Sequence, residues 1–140
     1  MTIEDEVRAA SAEFYAALNR MLDGNARSLG KIWSHSSSVT TMHPIGGREV
    51  GWENVNASFE QVAQRSTGGR VELVDQLIRA AEEFAYELGV ELAQFSLAGE
   101  QLSLSARVTN IYRREAGGWK IVHHHGDISP GIFEALNRAD

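Results

Sequence analysis

The sequence predicts an α+β fold in one domain, residues 1–140. Apolar residues recur at helical spacing in the first half, alternate along long β-leaning segments in the second, and short polar turns separate those segments. Strands joined by short turns pair antiparallel, so the second half reads as a meander packed on the helices of the first.

From Ile3 to Asp23 the residues Ile3, Val7, Phe14, Leu18 and Met21 fall mostly three, four or seven apart, which predicts an amphipathic helix, and Thr2 with Asp5 three positions on predicts its N-cap. "DGN" at 23–25 ends it. "ARSLGKIWSH" reads as a short second helix laying Leu29, Ile32 and Trp33 on the core, and "VTTMHP" at 39–44 as a strand. "IGGREVGW" supplies a glycine-rich turn into a short return strand, and Val55, Phe59 and Val62 mark a third helix from Glu53 to Gln64, terminated around "STGG". The segments "RVELVDQLIRA", "EFAYELGVELAQFSL", "QLSLSARVTNIYRRE" and "GWKIVHHHGDI" then form the meander, with turns near 80–83, 98–101 and 115–118, and "GIFEALNRAD" predicts a short helical tail.

Composition narrows the function classes. A chain of 140 residues, 43% hydrophobic and 23% charged, buries a core without metal or disulfide staples. With 19 acidic against 13 basic residues spread along the chain, no basic cluster exists to neutralise a phosphate backbone, so nucleic acid is not an expected partner. The absence of cysteine excludes disulfides, thiolate catalysis and sulfur-based zinc sites. No apolar run is long enough to span a bilayer, and the acidic, amphipathic start "MTIEDEVRAA" is unlike a signal peptide; a cytoplasmic protein with no membrane partner is expected.

On the strand of residues 101–115, Leu102, Leu104, Ala106, Val108, Asn110 and Tyr112 share one face, with Asn110 a polar intruder among apolar neighbours. His43 stands where a strand meets a Pro-Gly turn. Its imidazole suits a base or acid at neutral pH, and equally a structural hydrogen bond to a backbone carbonyl. Asn110 must find partners, in a ligand or in the first helix or a buried water. In "VHHHG", alternation separates His124 from His123 and His125. Two imidazoles at i and i+2 can chelate an ion, but no second ligand cluster stands at a spacing that would close such a site, so neither metal nor cofactor is expected.

The order helix, short helix, "MHP" strand, helix and long meander, with "FYAALNRMLDGN", "VTTMHPIGG" and "VTNIYRREAGGWKIVHHH", resembles the NTF2-like superfamily, specifically its SnoaL-like branch, across essentially the whole chain. The last of these stretches is also similar to the association domain of calcium/calmodulin-dependent protein kinase II. The resemblance implies a cone: a strongly curved mixed or antiparallel sheet wrapped around the N-terminal helices, with an internal pocket and homodimer pairing through the outer sheet face.

Ketosteroid isomerases look similar in the first helix and around "HP". The resemblance places their general base at His43 and their oxyanion-hole acid at Asn110, and "AALN" puts Phe14 at the phenol position with Tyr15 one residue away. A neutral amide is a weaker donor than a carboxylic acid paired with a phenol, which argues against steroid isomerisation. The resemblance also turns His124, with Gly126 and Ile128, towards the pocket, and His123 and His125 outward with Trp119 and Ile121.

The expected function is binding of a small hydrophobic or aromatic ligand. If it is catalytic, the chemistry is isomerisation, cyclisation or dehydration by proton transfer next to a carbonyl, with His43, Asn110 and His124 as catalytic residues. Tyr15, Trp33, Trp52, Phe59 and Tyr112 are the expected aromatic lining. The competing expectation is a non-catalytic ligand-binding or oligomerisation module. Arg107 and Arg113, on the face opposite Asn110, are expected at solvent or an interface, and Asp127 in a turn or helix cap.

Overall fold

Thr2 opens the first helix, α1 (Ile3–Met21), through a reciprocal cap: Asp5 N donates to Thr2 Oγ1 at 3.1 Å and Thr2 N to Asp5 Oδ2 at 3.0 Å. The two bonds satisfy backbone donors that a helix start leaves without partners. The structure is a computed structural model and describes residues 1–138. A five-residue 3-10 turn at Arg27–Lys31 follows, then β1 (Thr40–Met42), β2 (Glu49–Val50), α2 (Trp52–Arg65), β3 (Ser66–Ala80), β4 (Phe84–Leu97), β5 (Glu100–Glu115), β6 (Gly118–Gly126) and α3 (Pro130–Arg138). No helix among the described residues is long and apolar enough to cross a membrane.

The six strands form one mixed sheet in the order β2-β1-β6-β5-β4-β3, antiparallel except where β1 runs parallel to β6. α1 contacts both β3, at the sheet edge, and β6, three strands away, so the sheet curls around the helix. Bulges in β3 between Thr67 and Arg70 and between Val74 and Leu77 bend that edge. Inside, Phe14, Leu29, Trp33, Phe59 and Ile121 are buried, with Phe14 and Phe59 edge-on to Trp33 at 6.4 and 5.6 Å. Each such side chain withdrawn from water contributes roughly 1.5–3 kcal/mol.

Four expectations are corrected. "STGG" is not a turn after α2. Ser66–Gly69 is already strand, continuing directly from the helix, with Ser66 Oγ donating to the Val62 carbonyl at 2.7 Å. Gly69 allows the close approach: a Cβ there would stand 2.6 Å from the Cβ atoms of Leu22 and Phe95.

The second correction concerns the last strand, where Trp119 and Ile121 are buried together with His124 and Gly126. Strict alternation forbids that combination. The pairing steps from Ile111 opposite His123 to Tyr112 opposite Ile121, so Val122 is an extra residue in β6 and reverses the parity. His124 faces inward with Trp119 and Ile121, while His125 is exposed and His123 partly buried.

Third, Ile128 lies outside the strand and is 70% exposed. Fourth, among the described residues Asp127 caps no helix; its carboxylate accepts from Arg107 Nε at 2.9 Å and from the Arg107 backbone N at 3.2 Å. The predicted helical tail forms as α3, with its last two residues, 139–140, outside the described set.

Candidate functional site

The meander brings buried polar residues into register. Glu87 on β4 pairs with Asn110 on β5, and Asn110 with His124 on β6, so the three side chains stand side by side on the inner face. Asn110 Nδ2 donates to Glu87 Oε1 at 3.0 Å and to Tyr15 Oη at 3.1 Å. Asn110 Oδ1 accepts from His124 Nδ1 at 2.6 Å. Tyr15, reaching down from α1, donates its hydroxyl to Glu91 Oε2 at 2.8 Å.

Glu87 accepts twice more, from Tyr112 Oη at 2.8 Å and from Gln76 Nε2 at 2.6 Å. Gln76 reaches it because β3 bulges beside Asp75, whose φ of 57° is unusual for a non-glycine residue. The cluster thus knits α1, β3, β4, β5 and β6 together, every partner converging on a carboxylate or on Asn110.

Burial sets the protonation of these groups. It raises the Glu91 carboxyl to about 7, against the opposing hydrogen bond from Tyr15 and with help from the charge of Glu87. It drives His124 well below the ordinary histidine range, with the neighbouring histidines adding to the effect, so the imidazole is neutral at pH 7. Tyr15 and Tyr112 are held well above the usual phenol value, first by burial and then by the adjacent carboxylates.

His43 occupies a different corner. Ser58 Oγ gives its proton to the Val55 carbonyl at 2.6 Å, which leaves His43 Nε2 to donate to Ser58 Oγ at 2.8 Å. The other ring nitrogen faces Thr41 Oγ1 at 3.4 Å, and that hydroxyl donates to the His124 carbonyl at 3.2 Å. Burial lowers His43 to about 4. Although Glu49 Oε1 is 3.8 Å from its Nε2, a neutral imidazole forms no ion pair with it.

His43, Glu91 and His124 line one inner cavity of about 80 Å³, whose remaining wall is apolar and includes Phe59, Phe95, Leu97 and Ile132. A cavity of roughly 150 Å³ holds a benzene ring, so this one is smaller than a space filled by the aromatic ligand expected. A hollow of about 660 Å³ near Arg107 and Asp127 is an open groove that contains neither Glu91 nor His124.

Of the five aromatic residues expected to line a pocket, Phe59 alone lines this cavity among the described residues. Tyr15 and Tyr112 stand behind it and spend their hydroxyls on Glu91 and Glu87. Trp33 is in the core, and Trp52 stacks between it and His35, at 6.2 and 4.6 Å. Asn110 does not point a donor at a ligand, because both its N–H bonds go to Tyr15 and Glu87.

Glu87 and Glu91 escaped the sequence reading. Their signal was present: both fall on the same parity as Ala85, Ala93 and Phe95, the buried face of β4. His123 and His125 lie with ring centroids 6.0 Å apart, and no cluster suited to a metal ion is present among the described residues.

Several solved structures share the whole architecture. A candidate dehydratase of the NTF2-like family from Streptomyces avermitilis is 22% identical and superposes with a TM-score of 0.79, over 90% of this chain and 95% of that one. An NTF2-like superfamily protein from Salmonella enterica serovar Typhimurium gives 15%, 0.80, 94% and 96% for the same measures. A candidate calcium/calmodulin-dependent protein kinase type II association domain from Thiobacillus denitrificans gives 25%, 0.67, 87% and 94%. No curated protein matches the chain significantly. The SnoaL-like domain model matches residues 7–129, from the second turn of α1 to the end of the meander, and the chain therefore belongs to the SnoaL-like family.

Proposed function

We propose that the protein binds a small, largely apolar metabolite in the cavity beside Glu91 and His124 and moves a proton on it, in an isomerisation, cyclisation or dehydration. The observation that carries this reading is the pairing of a neutral imidazole, whose Nε2 has no hydrogen-bond partner among the described residues, with a buried carboxyl raised to about 7. A base and an acid are most effective when their proton affinities match the working pH, and Glu91 is tuned there by burial. Glu91 takes and returns the proton, His124 accepts a hydrogen bond from the substrate through its free Nε2, and Asn110 orients His124. His43 contributes a neutral polar wall.

Solvent-deuterium incorporation and dehydration are to be followed over a panel of short β-hydroxy ketones, which carry a donating hydroxyl beside an enolisable position, with the wild type and Glu91→Gln. Turnover of at least one member by the wild type, falling about 100-fold or more in the variant, is expected. No turnover of any member, or equal turnover by both proteins, sinks the reading.

A second reading, assembly through the sheet, is favoured by one feature. Leu77, Tyr86, Leu88 and Leu92 are exposed together on the outer face of β3 and β4, an apolar strip of the kind that marks an interface. The similarity to a kinase association domain points the same way. We infer a homodimer through this face, compatible with the cavity function. Leu88→Glu is expected to shift the light-scattering mass to that of a monomer, and a wild-type monomer overturns the inference.

A further inference from the structure

The hydrogen-bond network leaves no freedom in where its protons sit. All three partners of Glu87 are donors, so Asn110 must present Nδ2 to it. Tyr15 has given its own proton to Glu91 and accepts the second Nδ2 proton. Only Oδ1 of Asn110 remains, an acceptor, so His124 must carry its proton on Nδ1. A neutral imidazole has one N–H, and Nε2 is therefore a bare lone pair. Among the described residues no donor meets Glu91 Oε1 either, and His43 spends its Nε2 proton on Ser58.

We propose that the cavity recognises its ligand by a hydrogen-bond-donating head, a hydroxyl or a protonated amine, held by His124 Nε2 and Glu91 Oε1, and that Glu87 is the positioning residue that imposes this pattern through Asn110. The proposal rests on the reading that this cavity is the ligand site. A short aliphatic tail of such a ligand lies against Phe59, Phe95 and Ile132, in a space of about 80 Å³. Once Glu91 is ionised, as it mostly is at pH 8, carbonyl and carboxylate heads meet only lone pairs there and are desolvated without a partner.

The test is NMR of 13C,15N-labelled protein at pH 8, with 1-propanol, propylamine, acetone and propionate as probes. The wild type is expected to show His124 as the Nδ1–H tautomer. Propanol, propylamine or both are expected to shift His124 Nε2 and the Glu91 carboxyl carbon, with acetone and propionate at least fivefold weaker. Propanol alone identifies a hydroxyl head, and propylamine alone an ammonium.

Glu87→Met is expected to populate the Nε2–H tautomer and lose the preference. Glu87→Gln, whose amide oxygen still accepts from Asn110, is expected to keep both and serves where the methionine variant does not fold. An Nε2–H tautomer in the wild type, a pure Nδ1–H tautomer in folded Glu87→Met, or equal binding of acetone or propionate overturns the proposal while leaving the cavity as the ligand site. If none of the four probes shifts either resonance, both fall.

Discussion

His124 Nδ1 donates to Asn110 Oδ1 across 2.6 Å, and both side chains are buried. Because Asn110 is held from its other end by Glu87 and Tyr15, this contact couples the tautomer of a histidine to a carboxylate two strands away. The coupling makes Asn110 the most exposed point of failure in the site. Asn110→Leu fills the space but strands three polar partners, each costing about 1–3 kcal/mol when left unpaired. A loss of roughly 3 kcal/mol in urea unfolding is expected. A loss below about 0.5 kcal/mol would mean that the network contributes nothing to folding.

Glu91 ties stability to pH with a defined sign. Its ordinary value is 4.5 and burial raises it to about 7, so the folded state holds the proton more tightly than the unfolded chain. The stabilisation is fully present below 4.5 and is lost as pH rises to about 7. A shift of that size corresponds to roughly 3 kcal/mol at a site only 5% exposed. His43 acts in the opposite direction: lowered from 6.5 to about 4, it stabilises above 6.5 and ceases to do so as pH falls to about 4. Tyr15 on α1, Asn110 on β5 and Glu87 on β4 complete the groups around Glu91. Glu91→Gln keeps the acceptor for Tyr15 and cannot ionise, leaving the His43 contribution untouched. The difference between variant and wild-type denaturation curves should therefore be near zero at pH 4.5 and favour the variant by roughly 3 kcal/mol at pH 8; a flat difference would refute the raised carboxyl.

Much of the fold was legible because period and turn chemistry are local. The capping pair Thr2 and Asp5, the α1 stripe and the inward face of β5 follow from spacing alone. What spacing could not show is the extra residue in β6. Val122 looks like any other strand residue, and a bulge is decided by the partner strand, so alternation puts Trp119 and Ile121 on the face opposite His124, where the structure puts all three inside. The carboxylates were missed for a related reason: a glutamate in a strand is ordinarily a solvated residue, and only the neighbours Asn110, Tyr15 and Tyr112, distant in sequence, make it a buried acceptor.

The bulge gives the three adjacent histidines unequal weight. His124→Ala opens a void beside Phe14, whose ring is edge-on to the imidazole at 5.5 Å, and leaves Asn110 Oδ1 without its donor. His125 is exposed, and His125→Ala removes no buried contact. Thermal unfolding should show a loss of about 2–4 kcal/mol for the first and less than about 0.5 kcal/mol for the second. Equal losses would contradict the inward placement of His124.

Gly69 sets how closely β3 packs on the end of α1. Its N–H donates to the Leu22 carbonyl at 3.2 Å, fixing the strand against the helix terminus. A methyl group at this position meets the Cβ atoms of both Leu22 and Phe95 at 2.6 Å, and neither is the far end of a flexible side chain. Relief requires moving β3 or α1, and with it Val71, whose backbone N accepts no slack because it donates to Asn19 Oδ1 at 2.8 Å while Asn19 Nδ2 donates back to the Val71 carbonyl at 3.0 Å. Overpacking of this kind costs about 1–3 kcal/mol. Val71 also lines the cavity, so the strain reaches the site. Gly69→Ala is therefore expected to lower the urea midpoint and to shift the Glu91 carboxyl resonance, whereas Gly68→Ala, where an added Cβ meets nothing within 4 Å but φ is 60°, introduces backbone strain alone and is expected to leave that resonance in place. Equal shifts from both variants would show that backbone freedom, not the close approach at Gly69, governs this edge of the sheet.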